Sequence, residues 1–175
     1  MKSNRYILLI LTAILAISCS DRNHGNWVIV LHPHENIEDK ILSESTKIFL
    51  AGTIDMGNSI DWQAQVQDMF TARHGRYILF NPRQQEWHPE KAGEMDYQVN
   101  WELEHLEKAD WVLMNFLPES KSPITLLELG LHARSGKLLV ICPEKFYRYD
   151  NVRITCQKYN ILMFNSIEDA IEKII

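Results

Sequence analysis

From residue 47 onward, two hydrophobic patterns take turns along the chain. Short unbroken apolar runs, suited to strands buried on both faces, occur at KIFLAG (47–52), YILF (77–80), DWVLMNF (110–116), LLVICP (138–143) and NILMF (160–164). Between and after them lie stretches with helical spacing, at about 59–73, 97–108, from Ser122 to Lys137, and 166–175. Ile60, Ala64, Val66 and Phe70 are among the apolar positions of the first, and Ser166 is set to cap the last. Strand and helix alternating in this way predict an α/β, doubly wound, flavodoxin-like fold: a parallel five-stranded sheet with helices on both faces. Ligands of such sheets bind beyond the carboxyl ends of the strands, where strand order reverses. That rim would gather AGTIDMGN, NPR, NFLPESKSP and CPEKFYRY.

Upstream of residue 47 the pattern is different. The opening MKSNRYILLILTAILAISCS has two basic residues, a mostly apolar run over 6–17 and then small residues, the layout of a secretory signal. Its AISC ending resembles a bacterial lipoprotein signal, with Cys19 as the lipidated first residue of the mature chain. The domain plan is therefore a lipoprotein-type signal peptide at 1–19, a tether and N-terminal extension at 20–46, and one folded domain at 47–175. Within the extension WVIVL (27–31) is a strand candidate, HPH (32–34) a strand-end turn, and ENIEDKILSEST a surface loop. The location implied is a bacterial cell envelope, with membrane contact through the lipid anchor.

Charge narrows the partners. The 175 residues carry 18 basic and 23 acidic side chains, and loss of the signal removes Lys2 and Arg5, leaving a net charge of −7. No basic stripe is present, so a nucleic-acid backbone is not the expected partner. CxxC, HExxH and clustered histidines are absent, so no metal site is expected. Cys142 and Cys156 would remain after processing; they could pair outside the cytoplasm, or be a buried strand residue and a loop thiol.

The residue out of place is Glu128, set among Leu126, Leu127, Leu129 and Leu131 on a helix opened by Ser122 and Pro123. A carboxylate there points either to solvent or into a cleft, where it could serve as a nucleophile. The apolar residues at 124, 126, 127, 129 and 131 cover much of the circumference, which favours the cleft.

KIFLAGTID, WELEHLEKADWVLMNF and SPITLLELGLHARSGK together resemble the nucleoside 2-deoxyribosyltransferase superfamily, which also holds nucleoside 5′-monophosphate N-glycosidases. The similarity spans roughly residues 47–143. It implies that Glu128, in Glu-Leu-Gly, attacks the anomeric carbon and displaces the base. It implies that Glu102, seven residues before the Ala of Ala109-Asp110, handles the proton of the leaving base. Ser122, six residues before Glu128, stands where the transferases carry an Asp that holds the sugar and the nucleotide hydrolases a Ser that binds the 5′-phosphate, which tilts the implied substrate toward a phosphorylated one; the plain alternative is a helix cap. Further substrate-binding candidates on the rim are Gly52, Thr53, Asp55, Arg83 and Trp87, with Tyr147 a lesser stacking candidate. The resemblance implies a small-molecule nucleoside or nucleotide partner, no cofactor, since an ester on the enzyme carries the intermediate, and a homo-oligomer. PITLL stands where the superfamily carries glycines, and this bulk favours a second reading, a non-catalytic nucleotide- or sugar-binding module.

Overall fold

The computed structural model describes residues 25–175. The signal expected at 1–19 and the Cys19 lipid site lie outside the described residues. The strands are β1 (Trp27–Leu31), β2 (Thr46–Gly52), β3 (Arg76–Phe80), β4 (Trp111–Asn115), β5 (Leu138–Ile141) and β6 (Leu162–Phe164). The helices are α1 (Asp39–Ser43), α2 (Trp62–Thr71), α3 (Glu94–Lys108), α4 (Pro123–His132), α5 (Tyr149–Tyr159) and α6 (Ile167–Ile171).

All six strands form one parallel sheet in the order β1-β3-β2-β4-β5-β6. The sheet thus has six strands rather than five. The added one is WVIVL, which pairs with β3 from Trp27↔Arg76 to Leu31↔Phe80. Only the folded register reveals that this short run continues the sheet. Two helices also went unread. ENIEDKILSEST contains α1, and α5 follows β5. In α5 only Val152 and Cys156 are buried, too few to print a clear helical stripe.

The sheet is covered on both faces. Phe49, Ala51, Ile78, Phe80, Val112, Met114 and Val140 point to one side, where α3, α4 and α5 pack with Trp101, Leu106, Leu129, Val152 and Cys156. Ile48, Leu50, Leu79, Leu113 and Leu139 point to the other, against Trp62, Val66 and Phe70 of α2 and Ala170 and Ile171 of α6. Two of the expected apolar positions of α2, Ile60 and Ala64, are exposed instead; Asp61 caps the helix by accepting from the Ala64 N–H. Ser166 caps α6 as expected. Cys142 and Cys156 are both buried free thiols, and Cys156 sits on α5 rather than in a loop.

Strand order reverses at β2: the chain moves from β2 out to β3, then crosses back to β4 on the other flank. The carboxyl ends of β2 and β4 therefore flank the switch point. The two ends are pinned together tightly. A Cβ on Gly52 would lie 2.4 Å from the Asn115 carbonyl oxygen and 2.8 Å from Trp62, and Gly52 has φ +148. Glycine is demanded there by the sheet itself, not by a ligand's approach.

Candidate active site

The β2–β4 crevice opens into a cavity of about 460 Å³, within the range of small-molecule sites. Its floor is the end of β2 (Ala51, Gly52, Thr53). One wall is α3, which contributes Gln98 and Glu102; the other is the start of α4, which contributes Ser122, Thr125 and Glu128. Asp55 reaches it from a single 3-10 turn (Asp55–Gly57) and Trp87 from a loop.

Glu128 opens into this cavity rather than being sealed among leucines. It is buried, 7% exposed, on the α4 face shared with Thr125, Leu129 and His132. The all-round apolar character of the helix has another cause. Ile124, Leu127 and Leu131 are each 58% exposed and stand at the cavity mouth. Their row, spaced by three and four residues, is a rim to the site, not a core face. Burial raises the Glu128 carboxyl to about 8, and the negative charge of Glu102 adds to the rise. No hydrogen-bond donor among the described residues offsets this.

Glu102 stands across the cavity, half-buried. Burial raises its carboxyl too, but a hydrogen bond from Gln98 Nε2, 2.7 Å from its Oε1, pulls the other way. Two carboxyls facing one cavity, one without a donor and one with, are an arrangement that can divide nucleophile from acid.

Ser122 does not cap α4. It takes the left-handed conformation (φ 41, ψ 53) and makes no side-chain cap. Its hydroxyl is shared with Thr53 Oγ1 at 2.6 Å and Ser120 Oγ at 2.9 Å, and its N–H donates to Ser120 Oγ at 3.0 Å. Ser120 also donates to Asp55 Oδ1 at 2.8 Å, and Thr53 Oγ1 accepts the Leu117 N–H at 3.1 Å. This hydroxyl chain ties the β2 and β4 loops together. Asp55 and Met56 also sit at positive φ, 47 and 54, so three left-handed non-glycine residues border the cavity, and Asp55 and Ser122 are tied into that chain.

Arg83 is not part of the lining. Its guanidinium bonds Gln63 Oε1, Ser59 Oγ and the Ile60 carbonyl, with Asp61 at 3.6 Å, on the other side of its loop. Tyr147 is also outside the cavity; it is exposed, under the Arg148 guanidinium at 5.2 Å. Trp87 is half-buried and lines the cavity, free to meet a planar ligand. Sequence reasoning missed Gln98, Gln84 and Ser120. Gln98 carried a readable signal, since it precedes Glu102 by four residues and so shares its helix face. Among the described residues no group of three or more His, Cys, Asp or Glu is placed to hold a metal ion. No described helix is long and apolar enough to cross a membrane.

The stretch that builds this site is also the stretch that is recognisable. Residues 45–146 match the nucleoside 2-deoxyribosyltransferase like family. The chain belongs to that family. The match begins beside β2 and ends just after β5, so it contains both carboxylate-bearing helices and the switch point, while β1, α5, β6 and α6 lie outside it. No curated protein matches the chain.

Proposed function

We propose that this protein cleaves or transfers the N-glycosidic bond of a nucleoside, with Glu128 as nucleophile and Glu102 as acid and base. The observation that carries the reading is Glu128 itself, buried with no donor among the described residues yet open to a cavity that Glu102 shares. A Glu128 carboxylate oxygen attacks the anomeric carbon. The bond from that carbon to the base nitrogen breaks, its electron pair stays on the base, and the base takes the proton of Glu102. The resulting ester is opened by water, or by a second base, which gives its proton to Glu102 as Glu128 leaves. Burial favours the protonated form of Glu128. Attack requires the anion, so the proton the pair shares must lie on Glu102 when the bond to the base breaks; the electron-poor anomeric carbon beside Glu128 favours that distribution.

The lining favours a nucleoside without a 5′-phosphate. Asp55, Glu102 and Glu128 all face the cavity, and no Lys, Arg or His lines it among the described residues. The Ser122 hydroxyl and N–H already have partners, and Pro123 has no N–H to offer. A phosphate dianion would meet like charge without a cation. The apolar mouth suits the base, with Trp87 placed to stack. Incubation with paired nucleosides and 5′-monophosphates, with free base measured, tests this. The nucleoside should react at least about tenfold more efficiently; preference for the monophosphate would reverse the assignment.

The bulk of Pro123 to Leu127 keeps one second reading in view, ligand binding without turnover. Calorimetric binding of a nucleoside that is never cleaved would select it. Export and lipidation at Cys19 belong to the same proposal; radiolabelled palmitate should enter the native protein and not Cys19→Ala.

A further inference from the structure

Glu102 is the end of a line of side-chain amides. Gln98 is buried, and its Nε2 donates to the Pro82 carbonyl at 2.9 Å and to Glu102 Oε1 at 2.7 Å. Its Oε1 accepts from Gln84 Nε2 at 2.6 Å, and Gln84 Nε2 also donates to Glu94 Oε1 at 3.1 Å. Glu94 Oε1 in turn meets His34 Nε2 at 2.9 Å, and the His34 ring stacks on Tyr97 with centroids 4.1 Å apart.

The direction of this line is forced. A carbonyl oxygen can only accept, so the group that Gln98 turns to Pro82 must be its NH₂. The second hydrogen of that NH₂ then points to Glu102 Oε1. Pro82 is itself held in place: Asn81 Oδ1 accepts the Arg83 N–H at 3.0 Å, the Asn81 N–H bonds the Leu31 carbonyl at 3.0 Å, and the Arg83 guanidinium is fastened to Ser59 and Ile60. Arg83, expected at the ligand, serves instead as the anchor of the loop that orients Gln98.

We propose that Gln98 is a positioning residue for Glu102: fixed by Pro82 and Gln84, it presents an N–H to Oε1, so any proton Glu102 carries sits on Oε2, the oxygen left for the ligand. As a statement about catalysis this rests on the function proposed above; as a statement about the carboxyl it does not. A glutamate free to rotate would divide its proton between two oxygens, only one of them useful. The ionisable groups around the line are Glu128 on α4, Asp55 across the cavity, and Glu94 and His34 at its far end.

The test is a titration of side-chain carboxyl carbons by ¹³C NMR without substrate, with Glu102 assigned through Glu102→Gln. In Gln98→Leu the Glu102 midpoint should move upward, because burial remains and the donor is gone. Gln84→Leu should move it the same way by less, and covers the case in which Gln98→Leu does not fold. With a nucleoside that the native protein cleaves, Gln98→Leu should lower kcat about tenfold and leave KM within about twofold, the loss expected for one hydrogen bond to a charged group. Gln98→Glu has the same shape but donates only when protonated, so it should recover activity toward acid pH. An unchanged Glu102 midpoint in folded Gln98→Leu and Gln84→Leu would overturn the proposal. A native protein that releases no base from any nucleoside would remove the proposed function and leave the titration to decide the role of Gln98.

Discussion

On the α3 wall of the cavity, Glu102 accepts from Gln98, which accepts from Gln84, whose amide also donates outward to Glu94 beside His34. On the α4 wall, Glu128 has no donor among the described residues, and burial dominates it. The same functional group thus meets two environments a cavity's width apart. A carboxylate held by donors is steadied in one orientation and can pass a proton along a fixed direction. One left without donors is raised in energy as an anion, and is correspondingly reactive toward an electron-poor carbon. The difference lies in the neighbours, not in the residue.

Removing the unsupported carboxylate should have the largest effect. Glu128→Ala is expected to lower base release by about 10⁴-fold or more, measured by chromatography of the free base. Residual turnover near the native rate would mean that α4 carries no nucleophile. Glu102→Gln keeps the shape and the contact with Gln98 but cannot exchange a proton, and should cost about 10²–10³-fold. Base release by the native protein should also fall above about pH 8, where the pair loses its last proton, and fall again in acid as both groups become protonated.

The same asymmetry predicts a pH-dependent stability. The folded protein holds the Glu128 proton up to about pH 8, whereas an unfolded glutamate releases it near 4.5. The fold therefore binds that proton more tightly, and its contribution is complete below the unfolded value and lost as pH rises through about 8. Over that window the native protein should lose up to roughly 5 kcal/mol that Glu128→Gln does not lose. Denaturation midpoints of the two proteins should be close at pH 5 and separate, with the variant higher, at pH 9. Parallel curves would show that Glu128 is well solvated.

The parts of this molecule that were legible from the chain are those governed by local pattern. Five of the apolar runs are β2 to β6. Glu128 stood out because a carboxylate among leucines is locally anomalous, although the leucines proved to be a mouth, with Ile124, Leu127 and Leu131 exposed. What was not legible depends on contacts distant in sequence. WVIVL is a strand because β3 lies beside it. Arg83 faces Ser59 and Gln63, not the cavity, because of where α2 begins. Gly52 is glycine because Asn115 and Trp62 crowd it. Ser122 and Pro123 read as a cap and a first helical residue, yet the hydroxyl turns away to Thr53, sixty-nine residues upstream. Spacing along one helix does not reveal a partner on another element.

Ser122 gives the smallest and most discriminating prediction. Its left-handed backbone carries strain of about 1–3 kcal/mol, held by the bonds to Thr53 and Ser120. Ser122→Ala removes those bonds and retains the strain, so it should destabilise by about 1–2 kcal/mol in denaturant titration. Ser122→Gly removes the same bonds but relieves the backbone, and should cost less. If the hydroxyl only joins the loops after β2 and β4, both variants should change cleavage of a nucleoside and of its monophosphate in equal proportion. A loss confined to the monophosphate would make Ser122 a phosphate ligand, and would move the source of selectivity from the negative cavity to the start of α4.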